Sequence, residues 1–458
     1  MTTESIRLEG MPTHEGDLSI EAHGMEPIPE SARYGSVGRV FTVWFTPNLV
    51  PAAFFLGTLA AAGFIGLGFW TAVGAIVVGN VVGSIIVGLL ATMGPRTGMA
   101  QMPLARLAYG KTIVVPGLLN WLSCIGWDGI NSVFGAAAIS ILTGVPFVAA
   151  LLVIVVCQGA LGILGYEAIH TFEKYMAIVL GAMFVILTFA IAGQASTGLA
   201  RTDAMSGFDQ MGAFVLYSTI IASFVLAWAL YASDYTRYLP STSNGSRIFL
   251  WTVLGLLVAD KATEGGAVDT INTILSGTPF AALAMLAIGI GTVAVNAMND
   301  YTGSLSLQAA GLRVPRVISA LIVAVLGFGV TLWLNAGDLV GKVENILLFL
   351  SYWIAPWAAV VLADWWLRRR SADTSRLVDF SALPTGALGL AAAVIGFIVS
   401  LPFQQSSLGE DIRKGTGLPV NAISDDILRY ADFAYLVGFA VAFAIYWFGA
   451  RRSIRSEA

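Results

Sequence analysis

Long apolar runs alternate with short polar breaks from about residue 38 to the end of the chain. Residues 184–192, 283–295 and 317–334 carry no charge at all. A crossing helix needs about 20 mostly apolar residues, because hydrocarbon offers no water to satisfy loose polar groups. Twelve spans can be marked, beginning near positions 38, 69, 116, 147, 174, 212, 247, 279, 316, 343, 384 and 431. The pattern therefore predicts an all-α integral membrane protein. Residues 1–35 are polar, mixed in charge and without period, which predicts a disordered tail. Residues 36–450 form the transmembrane domain, and 451–458 a second short tail.

Composition agrees with this reading. Apolar residues make up 57% of 458 positions and charged residues 11%, about half the charged share of an ordinary soluble domain. The net charge of -4 arises partly in the Glu-rich tail and implies no nucleic-acid partner. Cys124 and Cys157 sit inside apolar spans and read as small hydrophobes. No basic segment followed by a short apolar core and a cleavage site opens the chain, so no cleaved signal peptide is expected.

Span 7 is the irregular one, since only residues 248–259 are continuously apolar. Charge distribution argues that it crosses. With both termini in the cytoplasm, of the 24 Lys and Arg only Arg201, Lys261, Lys342, Arg413, Lys414 and Arg429 fall outside. Without that crossing the positive-inside bias would be lost. Its outer half then carries Asp260, Lys261 and Glu264, either as intramembrane acids with a role or as caps on a short helix. Span 1 holds Pro47 and Pro51 around Asn48, so its helix should unwind near the middle. Broken helices at membrane depth occur where freed backbone groups line a cavity; a kink filled by a neighbour is the plainer alternative. Between spans 2 and 3, Gly94-Pro95-Arg96-Thr97-Gly98 leads to Tyr109-Gly110-Lys111, which reads as an inward loop with an interfacial helix.

Several polar and aromatic residues sit in mid-span. Trp127 and Asn131 are four apart on span 3 and share a helix face. Asp128 points about a quarter-turn away. Phe224 and Trp228 share a face of span 6. Asn296 and Asn299 share a face of span 8. Amides offer donors and acceptors that match the edge of a purine or pyrimidine. Aromatic faces can stack on its ring, at about 1–3 kcal/mol per base in nucleic-acid complexes. A lone Asn in a span is more often interhelical glue worth about 0.6 kcal/mol, and a lone Trp an interface anchor. Trp121, Trp353, Trp357, Trp365 and Trp366 read as anchors or packing.

Taken together, these motifs resemble the nucleobase–cation symporter-1 family. The residues that carry the likeness are Gly94–Gly98 with Gln101-Met102 and Arg106, Gly126-Trp127 with Asn131, and Ala232-Ser233-Asp234-Tyr235-Thr236-Arg237-Tyr238. Asn299-Asp300, Ser351 through Trp357 running to Asp364, and residues 425–435 complete it. The likeness covers most of residues 35–450 and is closest to the purine–cytosine permease branch. It implies a five-plus-five inverted repeat of the leucine-transporter type, at about 38–194 and 212–367, with two appended helices at 384–450. Spans 1 and 6 would be discontinuous around a central site, although span 6 lacks a Pro or Gly at the break. The implied substrate-binding residues are Trp127 and Asn131, Trp228 with Phe224 as its alternative, Asn299 with Asn296 beside it, and Thr46 and Asn48.

The resemblance implies a secondary transporter importing a purine or cytosine base across the plasma membrane by alternating access, with no cofactor; a hydantoin- or allantoin-type carrier is the alternative. Sodium-coupled members carry two hydroxyl residues just before the position of Asn299. Here Ala297 and Met298 stand there and neither side chain offers an oxygen ligand, so proton coupling is expected, with Asp128 and Glu264 as candidate carriers. An enzyme lacks support: His14 and His23 lie in the tail and His170 in a predicted loop, with no metal or nucleophile cluster. A phosphate loop is excluded by Ala105, where the motif ending Gly110-Lys111-Thr112 requires Gly. No ring of charges suggests a channel.

Overall fold

The computed structural model describes residues 24–45, 48–49, 51–60, 65–164, 166–192, 207–256, 267–312 and 314–457. No strand occurs among them. Span 1 is two helices, α1 (Gly38–Phe45) and α2 (Pro51–Thr58). Pro51 opens α2 at the first helical position, where its missing N–H breaks no intrahelical bond. After α3 (Phe69–Ala91), three short turns follow: α4 (Met93–Thr97), α5 (Gln101–Leu104) and α6 (Arg106–Tyr109). The first half then runs through α7 (Val114–Thr143), α8 (Phe147–Leu164) and α9 (Tyr166–Ala192). Gly144 ends α7 in the left-handed conformation at φ 75°, its N–H bonded to Ser140 O, a standard glycine cap.

The second half begins with α10 (Gly207–Leu226), which tightens into a 3-10 turn over Ala227–Tyr231. It continues through α11 (Gly245–Leu256), α12 (Ala267–Ile274), α13 (Pro279–Ala309), α14 (Arg316–Asn335) and α15 (Leu339–Leu367). Then come α16 (Ala387–Ser400), α17 (Ser407–Thr416), α18 (Ala422–Asp426) and α19 (Ala434–Glu457). Among the described residues, eight single helices are long and apolar enough to cross a membrane. The other four expected spans correspond to the broken α1–α2, the shorter α8, α11, and α16, which turns by 91° into the polar α17.

The packing pairs expose an internal two-fold. Helix α3 packs on α10 as α11 packs on α1; α8 packs on α13 as α14 packs on α7. Helix α9 meets α1 and α13 as α15 meets α10 and α7, while α7 and α13 pack on each other along their length. Exchanging the two five-span halves maps each of these contacts onto its counterpart. An odd number of crossings per half means the halves run in opposite senses through the membrane. Helices α16 and α19 pack on α15 and on each other, outside the repeat.

Small residues bring these helices together, as lipid gives no hydrophobic drive between them. A Cβ added at Gly83 would meet the side chain of Val225 on α10, and one at Gly255 the side chain of Trp44 on α1. At the central pair, Gly135 of α7 abuts Thr292 of α13, and Gly289 of α13 abuts Ile139 of α7.

Three expectations are corrected. Residues 24–35, read as the end of a polar tail, pack against the bundle. Ile28 is buried and its N–H bonds Gly98 O at 2.9 Å, while Tyr34 N–H bonds Tyr238 O. One apolar side chain and a few backbone partners suffice to dock a polar strap, and composition averages over them. The stretch from Gly94 to Lys111 is no interfacial helix: Gln101 and Arg106 are fully buried in the bundle. Arg106 donates to Ala309 O, Gln308 O and Leu377 O, which satisfies the guanidinium and caps the end of α13. His170 lies inside α9, which starts about two turns earlier than its apolar run.

The central pair makes a stability prediction. A Cβ at Gly135 would stand 2.6–2.7 Å from the Thr292 side chain, so Gly135→Val should cost about 1–3 kcal/mol by overpacking. Gly159, where a Cβ meets nothing within 4 Å, serves as the control through Gly159→Ala. Thermal unfolding of the detergent-solubilised protein measures both; equal melting temperatures for Gly135→Val and wild type would refute the close approach.

Candidate substrate site at the crossing of the broken helices

The mid-span residues converge. A small cavity of about 10 Å³, room for about one water molecule, is lined by Trp127 and Asn131 from α7, Phe224 from α10, Ala227, Trp228 and Tyr231 from the 3-10 turn, and Val295 and Asn299 from α13. A planar ring enters only as these side chains turn or the helices part.

The aromatic walls touch edge to face, the favoured geometry for ring quadrupoles. Trp127 and Phe224 have ring centroids 5.5 Å apart at 76°. Trp228 and Tyr231 are 5.3 Å apart at 65°, and Trp44 stands 5.8 Å behind Trp228. Both Phe224 and Trp228 line the space, so the two alternatives for span 6 are joint occupants of one wall. No Pro or Gly breaks this span. The helix narrows to 3-10 geometry, where side chains three apart eclipse and Trp228 and Tyr231 come to one side.

Asn48 does not line the cavity. It accepts the indole N–H of Trp228 at 3.3 Å and donates its own amide to Trp44 O at 2.5 Å, tying the break in span 1 to the 3-10 turn. Asn296 also sits behind the wall. Its Oδ1 accepts from Asn131 Nδ2 at 3.1 Å and Asn299 Nδ2 at 3.4 Å. Its Nδ2 donates to Gln158 Oε1, Ser132 Oγ and the backbone carbonyl of Asp128. Asp128 is buried and does not line the cavity; its carboxyl accepts from Gln158 Nε2 at 2.5 Å and abuts Gly327 of α14. Thr46 and Glu264 lie outside the described residues, as do Asp260 and Lys261.

Two side chains escaped the sequence reading. Tyr231 donates to Asn299 Oδ1 at 2.8 Å and lies 3.4 Å from Cys124 Sγ. Gln158 stands in an otherwise apolar α8, and that isolation was the available signal. Asp300, next to Asn299, is buried with neither carboxyl oxygen hydrogen-bonded among the described residues. Ala297 and Met298 are both fully buried and apolar beside the site.

Comparison with known proteins gives the chain its family and its fold. The family described as permease for cytosine/purines, uracil, thiamine and allantoin matches residues 27–410. Purine-cytosine permease FCY2 of Saccharomyces cerevisiae is 26% identical over 490 residues, spanning 97% of this chain and 88% of that one. Purine-cytosine permease fcyB of Emericella nidulans is 28% identical, over 84% and 81% of the two chains. Among solved structures, Mhp1, a nucleobase-cation-symport-1 family transporter in a closed conformation with bromovinylhydantoin bound, superimposes with a TM-score of 0.74. That match covers 96% and 97% of the two chains at 16% identity, and so speaks for the fold. These relatives are permeases and not enzymes. With a multi-pass helical bundle, an aromatic and amide cavity at its centre and a family match over most of its length, the chain belongs to the permease family for cytosine, purines and related solutes.

Proposed function

We propose that the protein imports a purine or cytosine base by proton-coupled secondary transport. The observation that carries this reading is the meeting of Trp127, Phe224 and Trp228 with Asn131 and Asn299 around one cavity at the helix breaks. The ring lies between Trp127 and the span-6 aromatics, and the amides take its polar edge. Its boundaries follow the two-fold: 38–194 and 212–367 are the two repeats, and 384–450 the appended pair. The membrane is the plasma membrane with both termini cytoplasmic, which the bias of Lys and Arg supports. The relatives named for purine and cytosine transport favour a base over a hydantoin.

Asn48 takes part through Trp228. Any motion of span 1 relative to the 3-10 turn must stretch or re-aim that 3.3 Å hydrogen bond, which couples the two broken spans mechanically. For the proton, Asp128 touches the network behind the amides, and Asp300 joins it as a candidate carrier beside Asn299. The side chains of Ala297 and Met298 supply no oxygen for sodium, which needs several ligands.

Uptake of labelled cytosine by whole cells or proteoliposomes tests the site. Trp127→Ala should abolish high-affinity uptake while the protein still reaches the membrane; unchanged transport would remove Trp127 from the site. Asn299→Ala should weaken binding by about 1–3 kcal/mol, by leaving polar groups of the base unpaired.

Coupling is tested separately, in sodium-free buffer across a range of imposed pH gradients. Accumulation should persist without sodium and collapse when the proton gradient is dissipated. Strict dependence on sodium would overturn proton coupling, and hydantoin outcompeting every base would overturn the substrate.

A further inference from the structure

Where α15 and α19 end, on the inner face in the orientation proposed above, the bundle carries charge that neither the packing nor the central cavity uses. The ends of these helices, α6 and the loop that follows α15 enclose an open cleft of about 920 Å³. Its lining is of two kinds. Leu107, Leu383 and Ile454 are apolar, whereas Arg368, Arg369 and Arg376 bring guanidinium groups.

Arg368 is already engaged. Its Nε donates to Asp364 Oδ2 at 2.8 Å, and the Tyr446 hydroxyl of α19 donates to Asp364 Oδ1, so this pair ties the two helices together. Arg106, at the edge of the cleft, spends its guanidinium on backbone carbonyls. Arg369, Arg370 and Arg376 are exposed, and among the described residues none has a carboxylate oxygen within 4 Å. The same holds for Arg451 and Arg452 on the last turns of α19. Asp373 is the one acid in the described lining, and its Oδ1 accepts from Ser375 N–H at 2.9 Å.

The backbone gives a second, independent indication. Helix α15 ends in a Schellman turn, with Arg370 N–H bonded to Trp365 O at 2.9 Å and Arg369 N–H to Trp366 O at 3.1 Å. The turn holds Arg369 at φ 54° and Arg370 at φ 61°, in the left-handed region that glycine normally fills. A side chain in that region costs backbone energy. The helix dipole favours a cation at Arg368, but the turn itself would be better served by glycine at Arg369. Arg96 Nη1 donates to Arg370 O at 3.2 Å, which brings a further guanidinium from α4 onto the same turn.

We propose that this cleft binds an anionic membrane phospholipid, with the phosphate against Arg369 and Arg376 and the glycerol and first acyl carbons along Leu107, Leu383 and Ile454. Guanidinium groups match phosphate oxygens in charge and in fork geometry. A soluble phosphate shares that chemistry, but the apolar half of the lining and the place of the cleft at the membrane boundary suit a lipid. Charge that only sets orientation in the membrane requires neither a cleft nor arginine in a glycine position. The cleft takes this lipid whichever solute the central cavity carries.

The test is thermal unfolding of the full-length protein in non-ionic detergent, titrated separately with phosphatidylglycerol, phosphatidylcholine and inorganic phosphate. Phosphatidylglycerol should raise the melting temperature saturably, and the other two should not at matched concentrations. Arg369→Gly combined with Arg376→Gln should raise the half-saturating phosphatidylglycerol concentration about 30-fold, at about fivefold for each arginine. Arg369→Gly alone, without lipid, should melt at or above wild type because glycine relieves the turn, which separates lost binding from lost folding. Arg247→Gln removes an exposed cation expected on the same face but outside the cleft, and should leave the titration unchanged. Equal stabilisation by phosphatidylcholine overturns the proposal. So does an effect of Arg247→Gln as large as that of the double variant, since diffuse surface charge would then suffice. Inorganic phosphate reproducing the shift at lipid concentrations would overturn the lipid as occupant. Should the double variant fail to purify, the fivefold shift in Arg369→Gly decides, and its absence counts against the site.

Discussion

The structure depends on one constraint: a polar side chain at membrane depth must find a partner inside the protein. Helices α7, α8 and α13 meet this with a shared solution. Asp128, Gln158, Ser132, Asn296, Asn131 and Asn299 form one continuous path of hydrogen bonds. The path begins among helices packed behind the cavity and ends on its wall. Close approach of α7 and α13 at Gly135 and Gly289 makes it possible, because the two amide rows would otherwise stand too far apart to bond. Packing of small residues and placement of the site are thus one event.

The two-fold relation adds a second layer. The first span of each half departs from regular α-helix, one parting between α1 and α2 and the other tightening to 3-10 geometry. Irregular backbone survives in a membrane only where protein or a cavity covers it. Asn48 spans the gap, bonding the carbonyl of Trp44 on one side and the indole of Trp228 on the other. A site built where the two breaks meet can respond to relative motion of the halves, which is the requirement for alternating access.

At the end of the bundle where α1 begins, the protein is packed shut by a different set of bonds. Asp234 accepts from Gln101 N–H at 2.8 Å and the Thr302 hydroxyl at 2.6 Å. Arg237 donates to Tyr301 OH and to Gly24 O, which draws the strap of residues 24–35 across the end of α13. Arg106 holds the last carbonyls of the same helix. The motifs around Gln101, Arg106 and Asp234–Arg237, far apart in the chain, thus act as one closure around the α13 terminus.

Periodicity and polarity in the sequence alone determined the membrane class, span starts mostly within a few residues of the helices, the interruption of span 1 by Pro47 and Pro51, and the helix faces carrying Trp127 with Asn131 and Asn296 with Asn299. These are local properties, set by residue spacing and by the cost of exposing backbone to hydrocarbon. Only the tertiary structure decided which of those residues face the cavity and which face each other. Asn296 and Asn299 share a helix face, yet one lines the wall and the other is its support, because Gln158 from α8 reaches only the first. Tyr231 joined the site because a 3-10 turn, not an α-helix, carries it past Trp228, and no residue in that turn announces the change. Partner choice across helices depends on distances between segments over a hundred residues apart, and one-dimensional pattern holds no record of them.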